Sequence, residues 1–141
     1  MFLDRLLIVM AVAAAVTTAM IAVRLWNTHR VRRLLAESPA PLWTSLGEQP
    51  DGRHALVTFS TPSCAACHTA QAPAVSAVQD ELGSTRLRVI EVDAAERPDV
   101  ARVFGVLTVP STVVLAPAGQ IVAVNQGFAP TRKLIEQLQS A

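Results

Sequence analysis

Cys64 and Cys67, in the stretch STPSCAACH from Ser60 to His68, stand where an apolar run ends and a helical pattern begins. The run before them, HALVTFS from His54 to Ser60, is rich in β-branched and aromatic residues and lies between Asp51-Gly52 and Pro62, which predicts a buried strand. Beyond them Val75, Val78 and Leu82 recur at i, i+3 and i+7, with alanines between. That spacing predicts a helix from about Cys64 to Leu82, kinked where Pro73 removes a backbone donor. RLRVIEVD, Arg86 to Asp93, reads as the next strand, so strand, helix and strand form a parallel crossover. A short helix follows from about Pro98 to Phe104 and stops at Gly105. Two apolar strands around Pro117-Ala118-Gly119-Gln120 predict a hairpin, which makes the sheet mixed, and Pro130 opens a last helix with Leu134, Ile135 and Leu138 on one face. Phe59, Phe104 and Phe128 are expected in the core, and His54 and Trp43 as packing or surface residues.

The five residues Cys64-Ala-Ala-Cys-His68 carry two chemistries. In a c-type haem protein both sulfurs bond the porphyrin and the histidine ligates iron, usually within a helical envelope and with a second axial ligand. Here the cysteines follow a strand. Met1, Met10 and Met20 all lie in or before the first apolar segment, and His29 and His54 both precede the motif. A redox pair needs one thiol acidified at a helix N-terminus and a second thiol one turn on. Cys64 meets the first requirement, and Cys67, three residues later on the same face, meets the second, so Cys64 is expected to attack and Cys67 to resolve. These are the only two cysteines, so there is neither a disulfide framework nor a second pair for a four-sulfur metal site; no metal is expected.

With those elements in place, the chain from about Leu42 to Leu138 resembles the thioredoxin family. The likeness extends beyond the cysteines through VIEVDAAERPDVARVFGVLTVPSTVVLAPAGQIV and Gly127. It implies a thioredoxin fold, a mixed central sheet flanked by helices. It also implies exchange of the Cys64–Cys67 dithiol or disulfide with protein thiols and disulfides, with an upstream reductase or oxidant and no bound cofactor. Pro110 would be the cis proline facing the cysteines, and the Val109 backbone would pair with an extended substrate. Several positions depart from the family pattern: Ser63 replaces a tryptophan, Ala65-Ala66 a Gly-Pro spacer and Thr58 a buried acid, and Pro73 is displaced by one residue. Without a carboxylate at Thr58, Cys67 must lose its proton to water or another base. His68, where the family often has lysine, is either a cation or proton acceptor for the pair or a solvated helix residue. Thr58 and His68 are therefore the candidate modulators, and a redox-sluggish binding or scaffold module of the same fold is the rival reading.

At the other end of the chain, Leu6 to Val23 carries no charge, and the overall composition is 51% hydrophobic and 16% charged. As a helix rising about 1.5 Å per residue, that run covers roughly 27 Å, close to a bilayer core. It flows into RLWNTHRVRRLL with no small-residue cleavage site, so a retained anchor is expected rather than a signal peptide. The resulting organisation is a transmembrane anchor over 1–26, a basic juxtamembrane linker over 27–40 and a thioredoxin-like domain over 41–141. Arg24, Arg30, Arg32 and Arg33 follow the span, which by the positive-inside rule keeps the domain on the cytoplasmic face. The extracytoplasmic face is the alternative, since thiol enzymes work on both sides. A net charge of +1 gives no basic surface for nucleic acid.

Overall fold

The computed structural model describes residue 10, residues 12–26 and residues 39–140. The chain divides into two units, 1–33 and 34–141. In the first, residues 12–26 form a helix, α1, whose described side chains are all exposed. Its two hydroxyls turn back on the helix: Thr17 donates to the carbonyls of Ala13 and Ala14, and Thr18 to that of Ala14 at 2.8 Å. Among the described residues no helix is long and apolar enough to cross a membrane. The expected span begins at Leu6, outside the described residues, as do Arg30, Arg32, Arg33 and most of the expected linker.

The second unit opens with α2, Pro39–Leu46, followed by β1, His54–Ser60. A wide turn of π-helix, Cys67–Gln71, runs into α3, Ala72–Leu82; then come β2, Leu87–Asp93, and α4, Pro98–Val103. The hairpin is β3, Ser111–Leu115, and β4, Ile121–Gln126, and α5, Thr131–Gln139, ends the domain. α2 begins two residues ahead of the expected boundary at residue 41. Pro39 and Pro41 both fall among the first helical positions, whose N–H groups have no intrahelical partner, so their missing donors cost nothing there. Leu42, Trp43 and Leu46 of α2 are buried, and the Trp43 indole donates to the Gly119 carbonyl at the hairpin turn, 3.0 Å away.

The strands lie in the order β2-β1-β3-β4, with β1 parallel to β2 and antiparallel to β3. Successive side chains of a strand point to opposite faces, and the core divides accordingly. Ala55, Val57 and Phe59 of β1 pack with α2 and α4, whereas Leu56 packs with Val75, Val78, Leu134 and Leu138 of α3 and α5. Thr58 and Ser60 therefore face the α3–α5 side, beneath the helix that carries the cysteines. β3, an inner strand, is buried along its whole length, with Val113 and Leu115 in one core cluster and Val114 in the other.

Candidate active site

β1 delivers the chain to the site, and the helix that follows determines how the sulfurs are presented. Cys64 is half-buried just ahead of the first helical residues; Cys67, one turn on, is 4% exposed. Their sulfurs are joined in a disulfide with the Cα atoms 5.3 Å apart. The Cys67 backbone N–H donates to Cys64 Sγ at 3.2 Å, and the dipole of the helix adds its positive end. Both favour negative charge on the Cys64 sulfur once the bond is reduced.

The expected kink at Pro73 takes a particular form. A proline cannot donate to the carbonyl four residues back and its ring crowds that carbonyl, so the helix widens ahead of it, and the Ala72 N–H reaches Cys67 O, five residues away. A π turn holds one residue more than an α turn. It thereby absorbs the one-residue displacement of Pro73 noted in the sequence. The same turn aims Gln71 inward, 4% exposed, where its amide makes two hydrogen bonds to the Ala129 backbone: Ala129 N–H to Oε1 at 2.8 Å and Nε2 to Ala129 O at 3.1 Å. Gln71 escaped the sequence reading because its partner is 58 residues away.

The Val109–Pro110 bond is cis, as the resemblance implied, and Pro110 lines the same cavity as Cys67. Gln126, at the end of β4, grips this loop at three points. Its Oε1 accepts from the Leu107 N–H at 3.1 Å and from Ser111 Oγ at 3.3 Å, and its Nε2 donates to Gly105 O at 2.8 Å. Phe128 departs from its expected core position: it is 51% exposed, because Gly127, at φ 82°, turns the chain just ahead of it. Leu107, in the cis-proline loop, is 64% exposed.

Thr58 lies beneath the site and lines, with Cys67, His68 and Pro110, a cavity of about 290 Å³. His68 is exposed, with Nε2 3.3 Å from the Pro62 carbonyl, which it meets as a donor. His54, once a conceivable axial ligand, starts β1 at the end of the strand remote from the cysteines. The haem reading lapses on the fold, because the motif belongs to the strand–helix junction of a sheet domain and not to a helical envelope.

A disulfide at the mouth of a helix, opposite a cis proline on a mixed sheet, is the apparatus of a thiol–disulfide oxidoreductase. The family model for thioredoxin matches residues 46–140, and the chain belongs to the thioredoxin family. It is 31% identical to thioredoxin of Bacillus subtilis over 81 residues, which cover 57% of this chain and 75% of that protein. A thioredoxin of Listeria monocytogenes is 30% identical over 81 residues, covering 57% and 76%. Among solved structures, a mutant thioredoxin of Halobacterium salinarum superposes with a TM-score of 0.56 at 25% identity, over 64% of this chain and 76% of that one. Oxidised mitochondrial thioredoxin 3 of Saccharomyces cerevisiae shares the fold, with a TM-score of 0.58 at 19% identity over 72% and 89%.

Proposed function

We propose that this oxidoreductase is tethered to a membrane and exchanges its Cys64–Cys67 pair with protein partners, Cys64 attacking and Cys67 resolving, without a bound cofactor. The observation that carries the order of attack is the asymmetry of the pair: Cys64 is the more accessible sulfur and receives the Cys67 N–H, whereas Cys67 is buried behind it. An extended partner segment lies along the backbone of Val109 beside Pro110, and the exposed side chains of Leu107 and Phe128 offer it apolar surface. Upstream, a reductase or an oxidant resets the pair.

The tether rests on α1. Its exposed surface is apolar through Val23, and its threonine hydroxyls are satisfied by the helix itself, which is what a hydrocarbon environment demands. The basic residues that follow favour the cytoplasmic face and contact with anionic lipid headgroups.

Two substitutions test the exchange. Cys64→Ser abolishes it, and Cys67→Ser accumulates a mixed disulfide between Cys64 and the partner, visible on a non-reducing gel and cleared by dithiothreitol. Faster alkylation of Cys67 than of Cys64 by iodoacetamide would reverse the roles. Labelling of Cys64 by an impermeant thiol reagent in intact cells reads the sidedness; protection until the cells are opened is the expected outcome.

A further inference from the structure

Cys67, 4% exposed, must shed a proton before it can attack, so the resolving step needs an acceptor within reach. The cavity that Cys67 lines, about 290 Å³ between β1, β2 and the cysteine-bearing helix, has room for several waters at roughly 30 Å³ each. One carboxylate opens onto it: Glu91 of β2. The sheet register explains its place. Thr58 pairs with Glu91 on one side and with Thr112 on the other, and Thr112 pairs with Asn125. A polar row thus crosses the α3–α5 face, with Asn125 Nδ2 donating to Thr112 Oγ1 at 3.1 Å at one end and Glu91 finishing it at the other. In a parallel pair, one register step away from Thr58 is a single strand spacing of about 4.8 Å, so a carboxylate missing from β1 is supplied from next door.

We propose that Glu91 is the proton acceptor for Cys67 in the resolving step, acting through water in this cavity; this rests on the exchange reading above. In the mixed disulfide, Cys64 Sγ is bonded to the partner's sulfur. The Cys67 S–H proton passes through water to the Glu91 carboxylate as Cys67 Sγ attacks Cys64 Sγ. The Cys64–Cys67 bond forms, the Cys64–partner bond breaks, and the partner sulfur leaves with the electron pair as a thiolate, later protonated from solvent. The protein dithiol is oxidised as the partner disulfide is reduced. The other titratable side chain on the cavity wall is His68, whose Nε2 is directed at the Pro62 carbonyl. The facing positions of β1 and α3, Thr58, Ser60, Ser76 and Gln79, are neutral. The next acid along β2 on this face, Asp93, is engaged by the N–H groups of Ala95 and Glu96.

The test is the reaction of the reduced full-length chain with an aromatic disulfide that releases a coloured thiolate. A first release, dependent on reagent concentration, reports attack by Cys64; a second, independent of it, reports resolution by Cys67. In Glu91→Gln the first release keeps its rate. The second slows about 10-fold at neutral pH, less than the roughly 10²–10⁴-fold of an enclosed general base because this one works through water. Its rate then climbs in proportion to hydroxide, where the unsubstituted chain shows a flatter pH profile, and Glu91→Asp recovers part of the loss. A Glu91→Gln protein with the unsubstituted rate and pH profile for the second release overturns the proposal. Absence of the first release from the unsubstituted chain would instead strike at the exchange reading itself.

Discussion

Cysteine chemistry is local in sequence, whereas much of what positions it is not. Cys64 and Cys67 could be read from the chain because spacing and neighbours define them, a pair at a helix start, whereas Pro110 was indicated only by its matching position in the family resemblance. Gln126 could not. Its amide holds Gly105, Leu107 and Ser111 from 15 to 21 residues away, and nothing in its own neighbourhood signals that. Phe128 was misplaced for the opposite reason, since an aromatic residue among apolar ones looks like core until the turn at Gly127 directs it outward. The clamp has a measurable consequence. Gln126→Ala frees the loop that carries Val109 and Pro110, and misplacing a binding surface by a fraction of an ångström to an ångström slows reaction with a protein disulfide by roughly 10-fold or more. Alkylation of Cys64 by iodoacetamide, which does not use the loop, keeps its rate; equal slowing of both would mean that Gln126 supports the cysteines rather than the loop proposed to bind the partner.

Among the elements, strands and helices were legible to within a residue or so wherever a period was clean. β1 matches the expected His54–Ser60, and α4 and α5 begin beside the prolines that announced them. The exceptions both involve prolines whose effect depends on position. Pro39 starts a helix at a position expected to be linker, and Pro73 widens a helix where a simple kink was expected. The wide turn matters because it stitches the cysteine-bearing helix to the segment before α5 through Gln71 and Ala129, both buried. Gln71→Ala strips the Ala129 N–H and C=O of these partners. Leaving buried backbone groups unpaired costs about 1–3 kcal/mol each, so with two groups stripped the variant should lose at least about 2 kcal/mol of stability. The urea midpoint, at unchanged slope, measures this; an unshifted midpoint would show that water replaces the glutamine.

Across the whole molecule, the two core clusters draw every buried side chain they contain from between Leu42 and Leu138, so the hydrophobic driving force of the second unit is generated within it. This much was visible in the sequence as a change of composition, from an uncharged run to alternating strand and helix patterns. The burial of α2 was not, because Leu42, Trp43 and Leu46 join a core made largely by residues far along the chain, through contacts such as that of Trp43 with Gly119. A chain starting at residue 34, which retains all of α2, should fold cooperatively and stay in the supernatant when membranes are sedimented, whereas the full chain sediments with them. Starting instead at residue 47 removes three buried side chains, each contributing about 1.5–3 kcal/mol, which approaches the total stability of a small domain. Thermal unfolding separates the two: a sharp transition for the longer piece and none, or one at much lower temperature, for the shorter. Equal transitions would make α2 an ornament on an already complete core, and a longer piece that still sediments with membranes would place the tether in the domain rather than in α1.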